Sequence, residues 1–199
     1  TSSVKGEGKT IVSVNTASVL SSKFKKVLLL GADLRNPQIH KFLSVDKNVN
    51  DGLSDYIYKD EKDWRKYVIK YQNFDVILSG TIPPNPNQLL SSEKFKEFID
   101  TVKNQYDCIV IDSAPCLMVS DTLEISKHVD STIYVIRANF SRTFVTNFLV
   151  ECFDNKKLPN ISVVLNSVGN SASYGYRYGY QYGYKYGYKY GYNYGYGYG

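Results

Sequence analysis

The sequence predicts an α/β domain, a mostly parallel sheet flanked by helices, followed by a disordered tail. Two observations predict the domain. Five short apolar runs recur within residues 1–170, and helical patterns fill the stretches between them. A third predicts the tail: composition changes abruptly near Ser171, and tyrosine soon takes every second position. The expected division is therefore a globule at 1–170 and a tail at 171–199. A globule of that size buries roughly 70% of its unfolded surface, enough for a core of its own.

Taken in order, residues 11–20 read as a helix, with Val14, Ala17 and Val19 set among small polar residues. The run Val27-Leu28-Leu29-Leu30 lies between Lys26 and Gly31 and reads as a strand buried on both faces, as parallel strands are. Similar runs stand at residues 74–78, 108–111, 132–136 and 161–165. Residues 52–58, 92–105, 119–128 and 143–153 read as helices. Ser92 opens one of these well, because an acid follows in the first turn and Phe95, Phe98, Ile99 and Val102 recur at helical spacing. Trp64 and Tyr67 are expected on a helix lying against the sheet. In such sheets ligands bind beyond the carboxyl ends of the strands.

The formal charge is +5, and the tail alone carries Arg177, Lys185 and Lys189 with no acid. Removing those three leaves +2 for residues 1–170, too balanced and too scattered to argue for nucleic acid. Cys108, Cys116 and Cys152 form no C-x-x-C pair. Cys108 sits in an apolar run and reads as a buried, reduced thiol, which points to a reducing compartment. Nothing near Cys116 would lower its pKa, so it is not assigned as a nucleophile. His40 and His128 have no partner at catalytic spacing and read as surface or packing residues. No stretch reaches the 18 or so apolar residues of a membrane helix, and no signal-peptide pattern opens the chain.

The chemistry begins almost at once. Ser3-Val4-Lys5-Gly6-Glu7-Gly8-Lys9-Thr10 fits the phosphate-loop pattern G-x-x-x-x-G-K-[ST], except that Ser3 replaces the first glycine. Gly6 and Gly8 let backbone N–H groups turn inward around phosphate oxygens. Lys9 brings a point charge to the β- and γ-phosphates, Thr10 offers a hydroxyl to Mg²⁺, and the following helix adds its positive end. The expected ATP contacts are Ser3, Lys5, Gly6, Glu7, Gly8, Lys9, Thr10 and Ile11. Asp33 stands just past the run that ends at Leu30, and Asp112 directly follows residues 108–111. Carboxylates so placed sit on the Mg²⁺ side of such sites. The expected metal set is Thr10, Asp33 and Asp112, and the expected catalytic set is Lys9, Asp33 and Asp112. This makes the domain P-loop NTPase-like, with ATP and Mg²⁺ as its cofactors. A loop of this kind ordinarily follows a buried strand, so a first strand is expected upstream of Thr1.

These residues resemble the cytoplasmic autokinase domain of the bacterial tyrosine kinases (BY-kinases) of capsule and exopolysaccharide export. The resemblance rests on the phosphate loop, Asp33-Leu34-Arg35, Gly52-Leu53-Ser54, Gly80-Thr81-Ile82-Pro83-Pro84-Asn85-Pro86, the run ending at Asp112, and the terminal tyrosines. It implies ATP-dependent autophosphorylation on tyrosine. It also implies a homo-oligomer with tails in neighbouring active sites, a membrane activator module upstream or on a partner, a cognate tyrosine phosphatase, and a place at the cytoplasmic face of the inner membrane. Asn166 resembles the residue that reads the adenine edge in related ATPases. One departure stands out. Gly31 occupies a position where the family usually carries a second aspartate, which leaves Asp33 as the nearby candidate base and implies a slower kinase.

The tail offers the acceptors. Thirteen tyrosines alternate along residues 174–199: Tyr174, Tyr176, Tyr178, Tyr180, Tyr182, Tyr184, Tyr186, Tyr188, Tyr190, Tyr192, Tyr194, Tyr196 and Tyr198. Eight glycines among them argue against a strand and for disorder. A flexible coil of this length averages roughly 25–30 Å between ends, against a radius of gyration of about 15 Å for the globule. It can therefore reach its own active site or a neighbour's. Each phosphate adds about −1.5 to −2 charges, so three would reverse the tail's +3. The rival reading is a MinD/ParA-like ATPase switch without kinase activity. Its characteristic lysine would fall at the position held by Ser3, and Lys5 lies two residues away. A third reading makes the tail a structural, self-associating segment.

Overall fold

Strand β1 (Val27–Gly31) is buried along its whole length. It runs between two parallel neighbours, β3 (Phe74–Ile77) and β4 (Cys108–Asp112), with Leu30 opposite Ile77 on one side and Ile111 on the other. A short strand, β2 (Ile69–Tyr71), adds an antiparallel edge to β3. Successive side chains of a strand point to opposite faces, and β1 divides the core accordingly. Leu28 and Leu30 pack with Phe95, Phe98 and Ile99 of α5 (Glu93–Lys103), whereas Val27 and Leu29 pack with Phe74, Val76 and Ala17 of α1 (Lys9–Leu20). Each such leucine, withdrawn from water, contributes about 1.5–3 kcal/mol.

This computed structural model describes residues 1–45 and 51–169; the disorder expected of the tail, and all thirteen tyrosine acceptors, lie outside the described residues. By its contacts the chain divides into Thr1–Asn166 and Ser167–Gly199. Within the first unit a second, two-stranded parallel sheet pairs β5 (Thr132–Arg137) with β6 (Ile161–Asn166), across the connecting helix α7 (Thr143–Asp154). Thr1 and Ser2 extend alongside β5: Val135 N–H donates to the Thr1 carbonyl at 2.9 Å, and the Thr1 nitrogen donates to the Ile133 carbonyl at 2.9 Å. Between β4 and β5 runs a groove of about 450 Å³, lined by Val12, Ile109, Ile111, Thr132 and Ile133.

All five expected strands form, with ends shifted by a residue or so. Two of them are less buried than parallel strands usually are. Cys108 and its neighbours in β4 are half-buried because that strand borders the groove, which corrects the expectation of a buried Cys108 thiol. Val163 and Leu165 of β6 are 50% and 53% exposed, because β6 ends its sheet. The helix expected around Trp64 is a single 3₁₀ turn, Trp64–Tyr67. Helices α2 (Ile39–Leu43) and α4 (Pro86–Leu90) are too short to show a periodic pattern, although Pro86 suits a first helical position. Helix α6 (Asp121–Ser126) is shorter than its expected span of 119–128.

Helix α3 (Leu53–Tyr58) is fastened to the loop after β3. Leu53 and Ser54 N–H groups donate to the Leu78 and Ser79 carbonyls at 2.9 and 3.0 Å. The buried Asp55 carboxylate accepts from the N–H groups of Gly52 and Thr81 at 2.9 and 3.0 Å. Gly80 adopts φ 83°, and a Cβ there would lie 2.3 Å from Asp55 Oδ2, so only glycine admits this closure. Two segments far apart in sequence thus share one carboxylate. Replacing Asp55 with alanine removes the acceptor that both N–H groups share and should lower stability by about 2 kcal/mol, read as a shifted urea midpoint. An unchanged midpoint would mean that the two loops are held by something else.

Candidate active site

The phosphate loop is held from behind. Gly6 and Gly8 have φ of 92° and 99°, and a Cβ on Gly8 would come within 2.1 Å of Asn166 Nδ2. Asn166 Nδ2 donates to the Glu7 carbonyl at 2.9 Å, and Arg137 Nη1 donates to the Gly6 carbonyl at 3.0 Å. The fully buried Glu7 carboxylate accepts from Val4 N–H at 2.8 Å and from the Ser141 hydroxyl. With carbonyls tied back in this way, the loop's shape is fixed by its own neighbours rather than by a ligand. Helix α1 starts at Lys9 and its first bond runs from Val12 N–H to the Gly8 carbonyl, so the N–H groups of Lys9, Thr10 and Ile11 have no partner within the helix.

Five side chains meet at that helix start. Lys9 Nζ lies 2.7 Å from Asp33 Oδ2 and 3.9 Å from Asp112 Oδ1. Ser13, one turn further along α1, donates to Asp112 Oδ1 at 3.3 Å, and the Thr10 hydroxyl accepts from Lys9 Nζ at 3.4 Å. Asp33 follows β1 and Asp112 ends β4, and the pairing of Gly31 with Asp112 sets these chain ends side by side. Both carboxylates are almost fully buried. Burial pushes the Asp112 carboxyl above its ordinary value, against the downward pull of Lys9 and Thr10. The second oxygen of Asp33, Oδ1, accepts from the N–H groups of Arg35 and Asn36, which shapes the turn after β1.

The expected contacts sort unevenly. Lys9, Thr10, Asp33 and Asp112 come together, with Gly6 and Gly8 shaping the loop above them. The Ser3 hydroxyl is buried and paired with the Tyr134 hydroxyl, Lys5 is exposed, Ile11 is 41% exposed, and Asn166 braces the loop. Arg35 forms a two-pronged pair with Asp121, at 2.7 and 3.0 Å, which anchors the turn rather than facing the site. Asp121, Ser13, Arg137 and Ser141 escaped sequence reasoning. Only Asp121 carried a signal, as an acid opening a helix.

Gly31 has little room beside it. A Cβ there would meet Ser79 Oγ at 2.7 Å and Ser79 N at 2.8 Å. The aspartate usual in the resembling family therefore has no space in this chain.

The donors suit magnesium. A hydroxyl and two carboxylates make an all-oxygen set, and Mg²⁺ takes one or two carboxylates and fills its remaining positions with water and phosphate oxygens. Thr10, Asp33 and Asp112 are the residues that would hold it.

The AAA domain family matches residues 3–161. Tyrosine-protein kinase Wzc of Salmonella typhi is 37% identical over 167 residues, which make up 83% of this chain and 23% of Wzc. The crystal structure of the VpsO kinase domain is 34% identical with a TM-score of 0.78, covering 85% of this chain and 83% of that one. The chain belongs to the bacterial tyrosine kinases. The BY-kinase fold extends to a wider circle. MinD of Pyrococcus horikoshii, solved with Mg-ADP, is 25% identical with a TM-score of 0.68, over 86% of this chain and 71% of that one. Among the described residues of this BY-kinase domain, no helix is long and apolar enough to cross a membrane.

Proposed function

We propose that the domain transfers the γ-phosphoryl group of ATP to tyrosines of its own C-terminal tail or a neighbouring copy's. The observation that carries this reading is the meeting of Lys9, Thr10, Asp33 and Asp112 at the start of α1, beneath a loop shaped by two positive-φ glycines. ATP with Mg²⁺ supplies the transferable group and a Lewis acid. Lys9 would neutralise charge on the β- and γ-phosphates, and Thr10, Asp33 and Asp112 are the residues that would hold the metal. The phenol oxygen bonds to the γ-phosphorus as the bond to the β–γ bridging oxygen breaks, ADP leaves, and Asp33 or water takes the phenol proton. Such transfer depends more on positioning and charge neutralisation than on a strong base, which makes a Gly31 enzyme workable.

On this reading the tail's tyrosines are acceptors, and their modification reverses the tail's charge and expels it from partner active sites. The domain then serves exopolysaccharide export at the cytoplasmic face of the inner membrane, as a homo-oligomer, with a membrane activator module and a resetting phosphatase. The second reading, an ATPase switch, draws on the likeness to MinD.

Mapping phosphotyrosine by mass spectrometry, with Lys9→Ala as control, separates the two. The kinase reading expects modified tail tyrosines that vanish in the control. ATP hydrolysis without phosphotyrosine would leave the switch as the surviving account.

A further inference from the structure

Lys9 does more in this structure than wait for a phosphate. Its ammonium lies 2.7 Å from Asp33 and 3.9 Å from Asp112, with side-chain exposures of 11%, 3% and 2%. Lys9 is thus the cation in direct contact with Asp33, and it stands where a divalent ion held by Asp33 and Asp112 would have to stand.

We propose that Lys9 is the counter-ion of the metal carboxylates, and that a divalent cation must displace it to bind. The proposal rests on the nucleotide-site reading above and deepens it. A divalent ion arriving alone drives the ammonium off Asp33 and costs it its carboxylate partner, with only the Thr10 hydroxyl at 3.4 Å beside it, an unfavourable exchange. When a phosphate group lies in the loop, Lys9 has oxygens to turn to, and the carboxylates are released to the metal. Metal and nucleotide therefore favour each other, and the coupling is reciprocal. Lys9 would act as the gate between two ligands, holding a bare metal off the carboxylates until phosphate claims the lysine.

The test is a titration of Mn²⁺, followed by its electron paramagnetic resonance signal, which needs no catalytic turnover. Without nucleotide, Lys9→Met should bind Mn²⁺ at least about tenfold more tightly than the unaltered protein, because no cation competes. Lys9→Gln keeps a neutral donor toward Asp33, guards against misfolding of the methionine variant, and should shift the same way. Lys9→Arg keeps the charge and should gain nothing. If Lys9→Met and Lys9→Gln, folded by circular dichroism, bind Mn²⁺ no more tightly than the unaltered protein, the proposal is overturned. ADP should tighten Mn²⁺ binding to the unaltered protein. If it does not while the Met and Gln variants still gain, the competition stands and the nucleotide reading falls instead.

Discussion

Asp112→Asn should lower phosphotransfer by roughly 10²–10³-fold, the scale seen when one preorganised electrostatic contact is removed from a reacting centre. Thermal stability should stay unchanged or rise. The two halves of this prediction come from the same fact. Asp112 is 1% exposed at the end of β4, and burial raises its carboxyl above the ordinary value. A raised carboxyl means that the ionised form is disfavoured in the folded state. Its contribution is therefore destabilising, absent below the unfolded value and fully developed once pH exceeds the folded one. Asparagine has nearly the same shape without the charge, so it removes that penalty at neutral pH. Lys9 keeps Asp33 at 2.7 Å, so no buried ammonium is abandoned. The kinetic loss is read from phosphotyrosine formation, and the stability from a melting curve at pH 7. A variant that keeps more than a tenth of the activity would remove Asp112 from the metal set. A variant that loses activity together with several degrees of melting temperature would reduce its role to packing.

Gly31→Asp should destabilise the domain without raising its activity. The family resemblance invites the opposite expectation, since an aspartate is usual there. Here the Cβ alone would lie 2.7 Å from Ser79 Oγ and 2.8 Å from Ser79 N. The second contact is with backbone, tied in turn to α3 through the Ser54 N–H bond to the Ser79 carbonyl. Overpacking of this kind costs about 1–3 kcal/mol, and a further carboxylate beside Asp33 and Asp112 adds to it. For a protein of this size a loss of about 3 kcal/mol lowers the melting temperature by roughly 6–12 °C. Ser79→Gly in the same chain removes the hydroxyl contact but not the backbone one, and should recover only part of the loss. If Gly31→Asp melts normally and phosphorylates faster, the space beside β1 has been misjudged.

The parts of the fold that were legible in the sequence are those written in short-range pattern. Four consecutive apolar residues from Val27 identify β1, and the spacing of Phe95, Phe98, Ile99 and Val102 identifies the buried face of α5. The charges of the site were legible for a similar reason, since Lys9, Asp33 and Asp112 each adjoin a recognisable element. Contacts between distant segments were not. Nothing near Glu7 announces that its carboxylate will accept from Ser141, and nothing near Arg35 announces Asp121. The three residues of β2 are too few to alternate convincingly, with a lysine in the middle, and the strand forms because β3 offers it an edge. The openness of Val163 and Leu165 likewise depends on which neighbour a strand receives, and apolar residues in a row cannot report that.

Asp33 serves two masters, and the division of its oxygens has a mechanical outcome. Oδ2 meets Lys9, while Oδ1 secures the amides of Arg35 and Asn36. Arg35 in turn grips Asp121 in the opening turn of α6, and Ser120, just ahead of it, accepts from Asn87 in α4. A rotation of that single carboxylate toward a new partner would also shift the amides it holds, and Arg35 carries that turn to Asp121 in α6. The turn after β1 is thus the place where a change of partner at Asp33 would first be felt.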